Sequence, residues 1–348
     1  MADLSNFDPN SAGNPNNNIF GLPFSEEESG VVILPIPWEV SVSYKAGTSR
    51  APENIFKASY QVDLIDNDFP DGWKKGIFMQ EPDDEISQKG DYLRKEAELY
   101  IKFVTDGHDL CESKFMTKVL NELNEGGAFL NDWVYGKCKD LLERGKLVGL
   151  LGGDHSTPLG YYKALGEKYS SFGILHIDAH CDLREAYEGM TYSHASIMYN
   201  ALNEVPAISG IVQVGTRDYS LSEIDFIKDS NGRVVTFFDK DLKERQYDGE
   251  TWKKICEDIV DRLPENVYLS FDIDGLDPKL CPNTGTPVQG GLETEEVYYL
   301  LRTMLRKGKK LIGFDLVEVG VSTSEWDENV GARVLFKLCN LLMRSNEN

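Results

Sequence analysis

The chain alternates between two kinds of segment. From residue 147 onward, short continuous apolar runs recur: Leu147–Leu151, Phe172–Ile177, Ile211–Val214, Val234–Phe238, Val267–Phe271 and Leu311–Phe314. Between and after them lie segments of helical periodicity: Pro158–Tyr169, His194–Ala201, Trp252–Leu263, Thr294–Arg306 and Val330–Met343. A strand that is apolar at every position is buried on both faces, and a helix between strands supplies the crossover that parallel pairing needs. Gly30–Leu34 adds an earlier strand and Gly76–Met79 a short one. The expected fold class is α/β: a three-layer α/β/α sandwich around a mostly parallel sheet of about eight strands.

The rest of the chain fits around that sheet. Residues 1–29 read as an extended N-terminal segment. Its first 18 residues carry six Asn with Pro and Gly, a composition that stays loosely ordered or drapes over a surface. Pro52 suits the first turn of a helix running to Ser59, and helices are expected over Tyr92–Val104, Lys114–Leu123 and Trp133–Arg144, with an acidic irregular stretch at 66–90. Nothing in the composition divides residues 30–348, so they read as one domain.

Charge narrows the function. With 36 basic and 58 acidic residues the net charge is −22, which repels nucleic-acid phosphates and anionic lipid. No window approaches the ~20 apolar residues that span a bilayer. The first residues lack the basic start and apolar stretch of a signal peptide, and the six cysteines are scattered without paired spacing. The expected compartment is a reducing cytoplasm.

Ligands of open α/β sheets bind beyond the carboxyl ends of the strands. There the sequence reads Gly152-Gly153-Asp154-His155-Ser156, Asp178-Ala179-His180-Cys181-Asp182, Asp272-Ile273-Asp274-Gly275-Leu276-Asp277, and Asp315-Leu316-Val317-Glu318. Asp178, His180 and Asp182 are spaced two apart, so in an extended segment they point one way; Asp272 and Asp274 repeat the device, and His155 adds an imidazole. Four carboxylates cannot share a small pocket without cations. Two divalent ions resolve the repulsion, and an oxygen–nitrogen ligand set without thiolate suits Mn²⁺, with Ni²⁺ among the alternatives. A single Asp at a strand end is ordinarily a cap or turn residue; three clusters at separate strand ends point to a site. His176 is expected to hydrogen-bond within the strand, Cys181 to pack, and Asp154 and Asp277 to serve turns or support ligands.

At these residues the sequence resembles the ureohydrolase family, which includes arginase and agmatinase. GGDHS, DAHCD, SFDIDGLDP (Ser270–Pro278), TGTPVQGG (Thr284–Gly291) and DLVEV stand in the family's order, and the likeness runs from about Val31 to the C-terminus. The resemblance implies the same sandwich and a binuclear manganese cluster. In it His155 and Asp182 hold one ion, His180 and Asp274 the other, and Asp178 and Asp272 bridge. It implies that a metal-bridging hydroxide attacks the guanidinium carbon, that Glu318 grips the guanidinium, and that His194 carries the proton to the leaving amine. It also implies a homo-oligomer, trimer or hexamer.

The segment from Asp182 to His194, DLREAYEGMTYSH, looks like microbial agmatinases. Agmatine is the first expected substrate, with Glu185 and Glu188 attracting its distal ammonium and Arg184 disfavouring it if it points inward. Alternatives are 4-guanidinobutanoate, and free guanidine if residues 10–24 of this chain or of a neighbouring chain plug the pocket. Two other classes compete. A binuclear phosphoesterase normally needs more histidines late in the chain, and none follows His194. A non-catalytic binding protein would show damage in the ligand set or at Glu318, and there is none.

Overall fold

A computed structural model describes residues 4–5 and 7–347, so residues 1–3 and 6 of the Asn-rich segment lie outside the description. Eight strands form one sheet: β1 Val31–Ile36, β2 Ile77–Met79, β3 Leu147–Gly152, β4 Phe172–Ile177, β5 Ile208–Val214, β6 Val234–Phe237, β7 Asn266–Asp272 and β8 Lys310–Val317. Their order is β2-β1-β3-β8-β7-β4-β5-β6, and every pairing is parallel. The helices are α1 Ala51–Ala58, α2 Asp84–Thr105, α3 Lys114–Glu143, α4 Leu159–Lys168, α5 Ile197–Glu204, α6 Leu221–Asp229, α7 Asp239–Tyr247, α8 Trp252–Val260, α9 Thr294–Arg306 and α10 Trp326–Ser345.

Alternation along each strand feeds two apolar layers. In β4, Phe172 and Ile174 join the side covered by α2–α5, while Leu175 and Ile177 join the side covered by α1 and α8–α10. Both faces of the central strands are therefore dry, as their uninterrupted apolar sequence requires.

Three expectations need correction. The helices expected at Lys114–Leu123 and Trp133–Arg144 are one helix, α3. Gly126-Gly127, between the two expected segments, is helical and marks close approach. A Cβ on Gly126 would lie 2.2 Å from Leu93 of α2, and one on Gly127 2.8 Å from Tyr192. The missing side chains let α2 and the segment leading to His194 press against α3. Helices α6 and α7 have no counterpart among the expected elements. The sequence of α7, DKDLKERQY, buries only Asp239 and Leu242, so it carries no readable apolar stripe. The strand read to end at Phe314 continues to Val317 as β8, which places Asp315 inside the sheet.

Residues 7–18 lie exposed or half-buried over the surface. The chain enters the core at Ile19–Leu22, where the Phe20 ring packs 5.0 Å from that of Phe336 on α10.

Candidate active site

The four motif-bearing strand ends belong to β3, β8, β7 and β4, which are adjacent in the sheet. At about 4.8 Å between strands, their carboxyl ends span roughly 14 Å, within reach of converging side chains. The result is two groups that share one residue. His155 Nδ1 lies 3.1 Å from Asp178 Oδ2, 3.1 Å from Asp182 Oδ2 and 3.2 Å from Asp272 Oδ2. His180 Nδ1 lies 3.4 Å from Asp178 Oδ1 and 3.2 Å from Asp274 Oδ2. Asp178 thus gives one oxygen to each group.

This differs from the spacing argument in one respect. Residues 178–182 are irregular rather than extended, and Asp182 has a left-handed backbone with φ 54°. That turn sends Asp182 back to His155 while His180 faces Asp274. The conformation costs on the order of 1–3 kcal/mol, and it is held in place because the Asp182 carbonyl accepts from the Met198 and Tyr199 amides of α5. Glu318 is likewise left-handed, with φ 60°.

These groups fit divalent cations. His155 Nδ1 is buried, faces three carboxylate oxygens and makes no hydrogen bond of proper geometry. One proton could satisfy only one of those oxygens; a cation satisfies all of them together with the ring nitrogen. Burial, then the charges of Asp274 and Asp178, pushes the Asp272 carboxyl well above its ordinary range. Burial and Asp178 push Asp182 up as well. Asp178 runs the other way: burial opposes its charge, yet His176, His155 and His180 hold it well below that range.

The supporting residues are hydrogen-bonded in detail. His176 Nε2 is 2.7 Å from Asp178 Oδ2, and its Nδ1 takes the side-chain amide of Gln213 at 3.1 Å. Its Nε2 therefore donates to Asp178, the residue the two groups share, as expected of a hydrogen-bonding role within the strand. His155 Nε2 lies 2.8 Å from Ser270 Oγ, which donates to Asp315 Oδ1 at 3.1 Å. Cys181 is buried and its thiol is raised, chiefly by burial. Asp277 accepts from the Lys279 amide, a turn role.

Beside the cluster lies a cavity of ≈ 360 Å³, walled by His180, Asp182, Arg184, Tyr187 and His194 among others. Burial lowers the His194 pKa, while Asp154 and Asp182 pull it the other way. Glu318 is buried and is not among the residues that line this cavity. Its Oε1 accepts from the His155 amide at 2.9 Å, and Oε2 faces Gly285, where a Cβ would sit 2.9 Å away. Burial first, and Asp154 second, raise its carboxyl well above the ordinary value.

Glu185 and Glu188 do not line this cavity. Glu185 is exposed and Glu188 is half-buried, with its carbonyl taking the Tyr100 hydroxyl. Arg184 does line it, stacked 5.1 Å from the Tyr187 ring centroid with Nε 3.8 Å from Glu223 Oε2. No residue from 10–24 borders the cavity. Sequence reasoning missed Ser41, which follows β1 and hydrogen-bonds both Asp154 and His194. A lone serine after a strand carries no signal of its own; only the fold, which sets it against a histidine 153 residues away, marks it.

Gly153 holds this arrangement together. A Cβ there would lie 1.9 Å from the Trp38 carbonyl oxygen, which already accepts the Asp154 amide. Gly153→Ala is expected to destabilise the protein by about 2 kcal/mol or more, because backbone rather than a flexible side chain must move. A wild-type thermal midpoint in that variant would show that the loop yields freely.

A model of the arginase family matches residues 29–340. The chain belongs to the arginase family. An N(1)-aminopropylagmatine ureohydrolase of Thermococcus kodakarensis is 37% identical over 315 residues, covering 89% of this chain and 90% of the relative. A guanidinobutyrase of Pseudomonas aeruginosa is 32% identical over 58% of this chain and 62% of its own length. The crystal structure of an agmatine ureohydrolase of Thermoplasma volcanium superposes with a TM-score of 0.70 over 94% of each chain at 23% identity, a likeness of fold.

Proposed function

We propose that this family member is a metal-dependent ureohydrolase that cleaves a small guanidino compound to urea and an amine. The observation that carries the reading is the shared Asp178, whose two oxygens serve two separate His/Asp groups beside a cavity. His155, Asp178, Asp182 and Asp272 would hold one divalent ion; His180, Asp274 and the second oxygen of Asp178 would hold another. Asp272, expected to serve both ions, turns Oδ2 to the first group, while its Oδ1 accepts the Asp274 amide. We take Mn²⁺ as the first candidate and Ni²⁺ as the second, since the donors are oxygen and nitrogen only. Bound there, such ions supply Lewis acidity that makes water a nucleophile near neutral pH.

The chain's own residues do the rest. Glu318 binds the planar guanidinium through Oε2, the oxygen left open by Gly285. Its raised pKa falls when a cation arrives, so the empty site holds little unpaired charge. Hydrolysis places an oxygen on the guanidinium carbon, breaks the C–N bond to the tail and leaves the departing amine in need of a proton, which His194 is placed to carry. Six unpaired cysteines, five of them buried, support a reducing cytoplasm, and the family resemblance supports a trimer or hexamer. The test is urea release with a panel of guanidino compounds on metal-loaded protein; no release from any of them overturns the reading.

Agmatine stands first on kinship with the named relatives. A second reading, guanidino acids such as 4-guanidinobutanoate, is favoured by Arg184. Its Nη groups have no protein partner among the described residues, and Arg184 lines the cavity. A guanidinium fork suits a carboxylate and disfavours an ammonium. Under that reading Arg184→Gln lowers kcat/KM for 4-guanidinobutanoate by roughly 10- to 150-fold, the equivalent of about 1.5–3 kcal/mol. Activity on agmatine holds or rises. Equal losses on both substrates would return Arg184 to a structural role. With residues 10–24 away from the cavity, free guanidine has no plug of this chain to favour it.

A further inference from the structure

Ser41 sits between two groups that the reaction treats very differently. Its amide and hydroxyl both point at Asp154 Oδ2, at 3.1 and 2.9 Å. The same hydroxyl oxygen takes the His194 amide at 2.9 Å and lies 3.1 Å from His194 Nδ1. Asp154 is fully buried, and its other oxygen accepts the Ser156 amide at 3.0 Å and the Ser156 hydroxyl. Asp154 is therefore the acceptor in all four of these contacts.

Proton counting decides the direction of each bond. A serine hydroxyl has one proton and two lone pairs. If the Ser41 proton went to His194, two oxygens would face each other at 2.9 Å with no proton between them, in a site shielded from water. The proton must go to Asp154. Both lone pairs of Ser41 then receive donors, one from the His194 amide and one from His194 Nδ1. The ring must carry its proton on Nδ1, and Nε2, which has no protein partner among the described residues, keeps its lone pair beside the cavity that His194 lines.

We infer that Ser41 and Asp154 are positioning residues that fix His194 as the Nδ1–H tautomer and so present Nε2 to the substrate. The inference deepens the ureohydrolase reading and rests on it for the ring's use, though not for the tautomer. Ser41 reads the carboxylate on one side and sets the imidazole on the other. The neighbouring ring of Tyr187, 5.8 Å from that of His194, limits tilting but offers no competing hydrogen bond. When Nε2 takes a proton, the imidazolium keeps the same Nδ1–H bond, so no side chain has to turn between the two protonation states.

The test has a spectroscopic and a kinetic arm. In ¹⁵N-labelled full-length protein loaded with diamagnetic Zn²⁺, the His194 ring nitrogens should give the pattern of the Nδ1–H tautomer. Ser41→Ala should move the ring toward the Nε2–H tautomer that free imidazoles of histidine prefer, with Zn²⁺ content unchanged. On the metal-loaded enzyme, Ser41→Ala should lower kcat by roughly 10- to 100-fold, a share of what general acid–base catalysis contributes, with KM changed far less. Ser41→Thr, which keeps the hydroxyl, should restore both the tautomer and most of the rate. An Nε2–H pattern in the wild type, or an unchanged tautomer in Ser41→Ala, overturns the inference. A switched tautomer with wild-type kcat supports the pairing and overturns instead the use of His194 as proton carrier.

Discussion

Asp272→Asn is expected to hold little divalent metal and to lose urea release, yet near neutral pH, in chelator, to melt above the wild type. The carboxylate of Asp272 is buried beside those of Asp274 and Asp178, and its pKa in the folded chain lies well above the ordinary value near ~3.9. The folded metal-free chain therefore binds this proton more tightly than the unfolded chain does. Stability contributed by that proton is present in acid and falls as pH rises from the ordinary value through the raised one. Asparagine carries no such penalty, so its advantage should appear toward neutral pH and fade toward pH ~4. Added metal should reverse the ranking, because only the wild type gains stability by mass action. Asp178→Asn should lose metal equally but behave oppositely in chelator. Its pKa is held low by three imidazoles, so its charge stabilises the fold above the ordinary carboxylate range, and the variant forfeits that contribution. Metal content by elemental analysis and thermal midpoints at two pH values read both variants. Wild-type metal content in either one removes that residue from the ligand set.

That contrast between two aspartates could not be read from the sequence, where both were carboxylates at strand ends. What was legible followed from period and position. Continuous apolar runs revealed a sheet covered on both sides, and the rule that ligands gather at carboxyl strand ends located His155, Asp178, His180, Asp182, Asp272, Asp274 and Glu318. The strand order β3-β8-β7-β4 was not legible, since it depends on crossovers that skip neighbours, yet it is what brings four separate motifs to one place. Which of the three tail-contact candidates borders the cavity was not legible for a related reason. Arg184, Glu185 and Glu188 are near neighbours in an irregular segment, so no periodicity says which one faces the cavity; Glu188 is turned by its own left-handed backbone, with φ 50°. Ser41 escaped because a lone serine after a strand carries no signal until the histidine 153 residues away is seen beside it.

Glu318→Gln should separate substrate binding from metal binding. The substitution preserves shape, and the new side chain keeps an oxygen to accept the His155 amide, now at 2.9 Å. Strand β8, the left-handed turn at Glu318 and the position of His155 should therefore persist, and metal content should stay near that of the wild type. What changes is the atom facing Gly285. An amide nitrogen there is a donor, and a guanidinium offers only donors in return, so a charge-assisted pair becomes a repulsive contact. Losing such a pair is worth about 1.5–3 kcal/mol, or roughly 10- to 150-fold in kcat/KM. The loss should fall alike on agmatine, 4-guanidinobutanoate and arginine, because the contact is to the guanidinium they share. Arg184→Gln, in contrast, should discriminate among their tails. Gly285→Ala offers a second route to the same contact: its Cβ would stand 2.9 Å from Oε2 and crowd the oxygen that receives substrate, leaving the charge in place. Loss of metal in Glu318→Gln would make Glu318 a ligand, and unequal losses across the three substrates would move its contact from the guanidinium to the tail.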